Sequence, residues 1–268
     1  MHIGFVILDY NTISKSEILI SSIRRIFREY FVTICVVDNF ASRACINGNI
    51  AGEDIYIAAG DNLGYAKGNN LGIAHLKSQA DLIFVLNPDV SFLNVDLACL
   101  AADLDEMKKQ GHDIGALSVQ GVPDYIHRPG LTSLLFPYFR RIADSRRSHN
   151  VDRFQKLYRF HGCAFVINTD CLKDEKDFFC EQTFLYYEED FLCFSNKFGV
   201  VHLSSLTVAH EGSTSVSREW GLKKYWFMYN SLKSLILFHV PLARSFRGIT
   251  SCLAFISISI RFARDRYK

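Results

Sequence analysis

The chain from Ile3 to Asn11 reads IGFVILDYN. An unbroken apolar run over 3–8, without polar alternation, is the pattern of a strand covered on both faces in a parallel sheet. The polar triplet Asp9-Tyr10-Asn11 follows where such a strand reaches its carboxyl end, the edge at which parallel α/β sheets bind ligands. Outward from this strand the same grammar repeats. SKSE at 14–17 reads as a capping box, with Ser14 and Glu17 satisfying free amides at a helix start. Leu19, Ile20, Ile23, Ile26 and Phe27 then keep helical period. VTICVV at 32–37 is a second strand and DIYI at 54–57 a short third. A helix is expected over about 65–77, and LIFVL at 82–86 is a fourth strand. Asp96 suits the cap of a helix running to about 109, closed by Gly111, and 114–119 is a fifth strand. The alternation predicts an α/β, Rossmann-like fold with a mainly parallel central sheet flanked by helices.

The second half is less regular. Residues 121–160 hold Pro123, Pro129 and Pro137, several aromatics and many basic residues, and read as a long, partly mobile loop. GCAFVIN at 162–168 is a strand, 184–194 is aromatic and acidic, a strand lies near 200–209, and a helix covers 219–238. Residues 245–264 have amphipathic period. Phe246, Ile249, Leu253, Ile256 and Ile260 line one face, and Arg247, Ser251, Ala254, Arg261 and Arg264 the other. Such a helix either packs on the core, docks a partner, or lies in a membrane interface with Arg toward lipid phosphates.

Composition narrows the classes. The chain has 268 residues, 49% hydrophobic and 22% charged, the balance of a soluble globular protein. The formal charge of +2 conceals a split. Residues 1–134 carry 10 Lys+Arg against 15 Asp+Glu, 135–168 carry 7 against 2, 169–217 carry 3 against 9, and 218–268 carry 10 against 2. A basic–acidic–basic order argues against a uniform nucleic-acid binder and for an acidic site between anion-attracting surfaces. The longest charge-free apolar run, 248–260, is shorter than the ~20 residues a spanning helix needs. The first residues show no basic segment or cleavage site of a signal peptide. Eight cysteines without a CxxC pair suit free thiols in a reducing compartment.

Four polar clusters fall at strand ends: Asp9-Tyr10-Asn11, Asp38-Asn39, Asp61-Asn62-Leu63-Gly64 and Asn87-Pro88-Asp89. Each alone is an ordinary turn or cap; together, on one edge, they outline a site. No GxGxxG follows the first strand and no GxxxxGK[ST] occurs, so a dinucleotide fingerprint and a P-loop are absent. Phosphates would be held by a carboxylate-bound divalent cation or by amides around Gly64.

These segments resemble, in order and spacing over roughly 1–235, a family 2 glycosyltransferase, an inverting enzyme of the GT-A nucleotide-sugar fold. VILDYN is similar to the opening strand, VVDNFAS to the second strand with its nucleotide-contacting Asp, and DNLGYAKGNNLGI to the NxG[FY]xxGNN segment, the most distinctive match. FVLNPDV is similar to the DxD metal segment, HGCAFVI to the central acceptor-side strand, FLYYEEDFLC to the base-bearing segment and HEGSTS to a later His segment. The nearest subgroup resembles bacterial rhamnosyltransferases of surface polysaccharide.

The resemblance implies a GT-A domain over 1–240, with a nucleotide half at 1–120 and an acceptor half at 121–240, and a basic extension at 241–268. Asp9, Asn11, Asp38, Asn62, Gly64, Lys67 and Asn87 would contact the donor, a dTDP- or UDP-linked sugar. Asp89, with His210 as a second ligand, would hold Mg²⁺ or Mn²⁺. NPD lacks one acid of DxD, but one carboxylate with diphosphate oxygens and waters suffices for Mg²⁺. Glu188, Glu189 and Asp190 would supply the general base, with Glu189 favoured and Asp190 the base if the register shifts by one. Their alternative reading is a solvated helix start. Tyr186, Tyr187, Trp220, Tyr225 and Trp226 read as core aromatics first and sugar-stacking faces second. The implied acceptor is a lipid-linked oligosaccharide at the cytoplasmic face of a bacterial inner membrane, with peripheral contact to anionic lipid. The rival readings are a non-catalytic scaffold, suggested by the incomplete DxD, and a nucleotidyltransferase, which lacks its glycine-rich N-terminal phosphate loop here.

Overall fold

The computed structural model describes residues 1–40, 54–122, 124–126, 147–148, 151–195, 197–212, 221–240, 245 and 247–266. Its centre is a sheet in the order β3-β2-β1-β4-β10-β6-β11-β5. β1 (His2–Asp9), β2 (Phe31–Asp38), β3 (Ile55–Ala58) and β4 (Leu82–Leu86) pair in parallel. The register sets Asp9 beside Asp38, so the first two polar clusters end level.

The apolar run of β1 has the predicted cause. Ile3, Phe5 and Ile7 face one layer with α1 (Ile13–Ile26) and α3 (Leu97–Lys109). Val6 faces the other, with α2 (Gly64–Leu76). The α2 layer sits very close: a Cβ on Gly72 would lie 2.6 Å from Val6 Cγ1, and one on Gly68 2.4 Å from Leu8 Cδ1. The second and third glycines of GYAKGNNLG thus let the helix lie against the strand that ends in the site.

Two details of this half differ from the expectation. The capping box at 14–17 does not form. The helix begins at Ile13 with Thr12 as its cap residue, and the cap function passes to Asp9, whose carboxylate accepts from Thr12 N at 3.0 Å and from the Ser16 hydroxyl. A buried carboxylate from the preceding strand end outcompetes Ser14, which lies inside the helix. Residues 90–95, given no element by the sequence, form β5 (Val90–Val95), with exposed Ser91, Asn94 and Leu93 on an edge strand. The Asp96 cap holds as expected, accepting from Cys99 N at 3.0 Å, and Gly111 takes φ +67°.

The antiparallel pairs belong to the second half. β10 (Ala164–Asn168) inserts antiparallel between β4 and β6 (Ile114–Val119). β11 (Val200–His210) runs parallel to β6 and antiparallel to β5 and β9 (Lys156–Leu157). In the stretch read as a loop, β7 (Asp124–Tyr125) pairs with β8 (Arg147–Ser148); residues 127–146 lie outside the described residues. So do Trp220, Phe246, the side chain of Arg264 and the GSTS half of HEGSTS apart from Gly212.

Three helices complete the fold: α4 (Glu188–Ser195), α5 (Lys223–His239) and α6 (Arg247–Arg266). They share a separate apolar cluster of Tyr187, Phe191, Met228, Leu232, Ala254 and Ile258 among others. The buried side of α6 is Thr250, Ala254, Ser257 and Ile258, whereas Ile249, Phe255, Ile256 and Ile260 are exposed. The apolar stripe of Ile249, Leu253, Ile256 and Ile260 therefore points largely away from the core. No helix among the described residues is long and apolar enough to cross a membrane. Seven cysteines, all of those described, are free thiols.

Candidate active site

A cavity of about 410 Å³ opens at the carboxyl edge of β1, β2 and β4, closed opposite by residues 184–189 and by α6. Of the predicted residues it gathers Asn62, Gly64, Asn87, Asp89, Glu188, Glu189 and His210. Asp9, Asn11, Asp38, Lys67 and Asp190 do not line it. Asp9 is buried as the α1 cap. Asp38 is buried at the end of β2 and accepts from the Tyr56 hydroxyl at 2.6 Å and from Phe40 N at 2.9 Å. Asn11 is exposed with φ +54°, and Lys67 is exposed on α2.

The DNLG turn is stitched to the second strand by Asn39. Its amide donates to Asn62 Oδ1 at 3.1 Å and to the Gly64 carbonyl at 3.2 Å, and its own Oδ1 accepts from Leu63 N at 2.8 Å. Gly64 N donates to Asn62 Oδ1, and Tyr65 N to the Phe184 carbonyl at 2.7 Å. These three amides, expected to be available to phosphate, are spent on positioning the turn. Gly64 has φ +78°, and a Cβ there would sit 2.2 Å from the Phe184 carbonyl oxygen. Only glycine fits this junction between the two halves. Tyr65 adds a second tie, donating its hydroxyl to the Gly162 carbonyl.

At the β4 end, His210 Nε2 lies 3.2 Å from Asp89 Oδ1 and 3.4 Å from Asn87 Nδ2. The register of β11 against β5 places His210 opposite Val90, beside the NPD turn. Burial opposes ionisation of Asp89, but the hydrogen bond and charge of His210 outweigh it and hold the carboxyl below its usual range. No cluster of three or more His, Cys, Asp or Glu able to hold a metal occurs among the described residues. One carboxylate, one imidazole and an amide oxygen nearby form a donor set that fits Mg²⁺ or Mn²⁺ if phosphate oxygens and waters fill the remaining positions.

At the opposite end the chain is forced into α4 through Tyr186 and Tyr187, both at positive φ (+74° and +72°). Each such non-glycine residue costs on the order of 1–2 kcal/mol, a strain typical of functional sites. Glu188, Glu189 and Asp190 form the first turn of α4. They are not solvated: Glu188 is 4% and Asp190 1% exposed. Asp190 is held by Arg159 Nε at 3.0 Å. Arg159 also lies over the Tyr125 ring and donates to its hydroxyl at 3.0 Å. Burial, then the charges of Glu189 and Asp190, push the Glu188 carboxyl well above its usual range, and its Oε1 has no hydrogen-bond partner. Glu189 alone of the three lines the cavity without being buried, facing Gly162, where an added Cβ would lie 3.4 Å from its Oε1. Cys163 lies between the two ends; burial, then the charges of Asp89 and Glu189, push its thiol up to about 12.

Several lining residues carried no signal of their own. Lys15, which pairs with Glu211, looked like one member of a capping box. Arg159 lay at the end of an apparent loop, His161 opened the HGCAFVI segment without a role of its own, and Arg261 lay in an apparent C-terminal extension. Of the aromatics, Tyr186 and Tyr187 both line the cavity, Tyr187 also belonging to the core, and Trp226 is 62% exposed.

No family model matches the sequence, and no curated protein matches it. Solved structures do match by shape. The 1–349 fragment of Staphylococcus aureus TarS is 16% identical, with 99% of this chain and 73% of that chain covered and a TM-score of 0.54. This chain spans 40% of the longer TarS structure. The mannosyltransferase PcManGT of Pyrobaculum calidifontis, solved with GDP-Man and Mn²⁺, is 11% identical, with 99% and 75% covered and a TM-score of 0.53. Glucosyl-3-phosphoglycerate synthase of Mycobacterium tuberculosis, solved with Mn²⁺, UDP and phosphoglyceric acid, is 12% identical, with 87% and 78% covered and a TM-score of 0.51. With the sheet order and the cavity at its carboxyl edge, these likenesses establish that the chain has the GT-A fold.

Proposed function

We propose that the chain is a metal-dependent, inverting glycosyltransferase that moves a sugar from a nucleotide diphosphate donor to a lipid-linked acceptor of bacterial surface polysaccharide. The observation that carries this reading is the pairing, in one cavity, of Asp89 with His210 at one end and Glu189 at the other. Inversion needs a leaving-group site and a base on opposite sides of the sugar. The mannosyltransferase and the phosphoglycerate synthase were solved with Mn²⁺, which suits the same donor set here.

In this mechanism Asp89 and His210 would hold the divalent cation, with Asn87 beside them. The bound cation would neutralise charge on the departing diphosphate. Asp38 is buried and engaged by Tyr56 and Phe40, so it supports the end of β2 from below, and the Asn39–Asn62 turn shapes the floor beneath the sugar. Glu189 accepts the proton of the acceptor hydroxyl as that oxygen attacks the anomeric carbon. Asp190 is not free for this task, because Arg159 engages it in a buried pair. Burial and the charges of its neighbours push the Glu188 carboxyl up and oppose its ionisation, which leaves Glu189 as the accessible acid of the turn.

The motif resemblance points to a rhamnosyl donor linked to dTDP or UDP. The exposed Ile249, Phe255, Ile256 and Ile260, with exposed Arg247 at the start of the helix, suit the surface of an anionic bilayer and so a peripheral position on the cytoplasmic face of the inner membrane. The scaffold reading keeps one observation in its favour, the single acid of NPD.

The test is a panel of nucleotide sugars, with and without Mn²⁺, read by thermal stabilisation and by nucleoside diphosphate release. Mn²⁺-dependent stabilisation by one donor, with release that Glu189→Gln abolishes, supports the enzyme. Absence of both for every donor sinks it.

A further inference from the structure

Arg261 belongs to α6, yet it lines the active-site cavity, at the end occupied by Tyr186 and Glu188. Its charge and that of Glu188 both act on the Tyr186 phenol, which burial pushes up to about 12. The three groups are therefore neighbours. Within the helix its nearest acid is Asp265, at 3.9 Å from Nε and beyond hydrogen-bond distance. Asp265 accepts instead from the Tyr225 hydroxyl at 3.2 Å. Arg261 Nε is buried and without a hydrogen-bond partner. Burial, then the charges of Glu189 and Asp190, push the nearby Glu188 carboxyl up and oppose its ionisation. A guanidinium at a cavity wall with a dry, unsatisfied donor is poised for an oxyanion it can grip with two parallel N–H groups. On the same helix, Ile256 and Ile260 are 53% and 42% exposed. A ligand with a charged head and an apolar tail would meet both features.

We propose that Arg261 is the recognition residue for a phosphate group on the acceptor, so that the C-terminal helix is a working wall of the active site and not an appendage. The assignment to the acceptor rests on the glycosyltransferase reading above. Donor and acceptor both carry phosphate. Arg261 acts on Tyr186 together with Glu188, the residues that precede Glu189 in the chain, while the donor diphosphate belongs beside Asp89 and His210.

The experiment compares the full chain with Arg261→Ala, Arg261→Lys and, as a control on the same helix, the exposed Arg266→Ala. Two ligands are titrated: farnesyl phosphate as an isoprenoid phosphate, with farnesol as its uncharged counterpart, and UDP, GDP and dTDP with Mn²⁺. Melting temperatures verify that each variant is folded. Arg261→Ala is expected to weaken farnesyl phosphate about tenfold or more, the ordinary loss of a charged hydrogen bond. Lys should recover part of it, and Arg266→Ala should change nothing. Nucleotide affinity should stay the same throughout. An equal loss for the nucleotides would assign Arg261 to the donor and overturn the proposal, as would equal binding of farnesol and farnesyl phosphate, or no effect of Arg261→Ala. Failure of every nucleotide to bind the unmodified chain would remove the glycosyltransferase reading, while an Arg261-dependent affinity for farnesyl phosphate would leave the anion site standing.

Discussion

At the β4 end of the cavity one carboxylate, Asp89, is matched by one imidazole, His210. At the α4 end three consecutive carboxylates share one ion-paired guanidinium, Arg159, and two of them are almost wholly buried. Asp89 is held below its usual range by its partner, while Glu188 is pushed above it. The first end is suited to keeping a charge in place for a cation. At the second, burial and like charges oppose ionisation of Glu188, Arg159 pairs with Asp190, and Glu189 stays accessible from the cavity. The strain at Tyr186 and Tyr187 falls only on the second end.

The largest test of this division separates chemistry from binding. Glu189→Gln should lower turnover by about 10²–10⁴, the usual worth of a general base, and leave Mn²⁺-dependent nucleotide binding intact. Asp89→Asn should do the reverse at the level of binding, weakening nucleotide affinity in Mn²⁺ and abolishing its metal dependence. Single-turnover assays and calorimetry distinguish them. If both substitutions gave the same loss of nucleotide affinity, the two ends would not have separate roles.

Next in size is the buried pair. Asp190→Asn leaves Arg159, whose side chain is 17% exposed, without its nearest counter-charge. Breaking such a pair costs about 3–5 kcal/mol, whereas replacing both members by apolar residues is far milder. Asp190→Asn should therefore lower the denaturation midpoint sharply, and Arg159→Met with Asp190→Leu should recover much of it in urea melts. A single substitution without effect would mean that Asp190 is not the structural acid of the three. A smaller loss is expected of Gly64→Ala, about 1–3 kcal/mol for a side chain at φ +78°. It should also weaken the contact with Phe184 that joins the two ends.

How much of this was readable beforehand follows the same divide. The first half is built from local signals: β1, β2, β4 and α3 announce themselves by apolar runs, helical period and an Asp cap, and the residues that follow β1, β2 and β4 line the cavity. Asn62, Asn87, Asp89 and His210 could be named because each terminates such an element. The error at Ser14 shows the limit, since Asp9, seven residues from Ser16, took the capping role through the tertiary fold. The second half depends on distant pairings. β10 runs antiparallel between two strands that precede it in the chain, and β5 becomes a strand only because β11 returns to it. Arg159 and Arg261 reach the cavity by those long connections, and no local pattern carries that information. The spacing of residues 245–264 identified an amphipathic helix but not its orientation, because Thr250, Ala254 and Ser257 bury as readily as Ile249 and Ile256 once the partner is the closely packed α5.

The smallest predicted effect is also the most direct probe of the acidic turn. The Glu188 carboxyl is buried among Glu189, Asp190 and Thr183, and its folded pKa lies above the ordinary 4.5. The native state therefore holds a proton that the unfolded chain has released. Stability from this group is complete below about pH 4.5 and is lost as pH rises from there through the raised folded value. Gln keeps the shape and the neutral state of the protonated acid. Glu188→Gln should thus match the unmodified protein near pH 4 and exceed it in melting temperature at neutral and alkaline pH, by a gap that opens between those limits. A gap of the opposite sign would mean that Glu188 is ionised in the folded chain, and the role of neutral neighbour would pass to Glu189. The base would then have to be sought among the other acids of the turn, and the contrast between the two ends of the cavity would lose its physical basis.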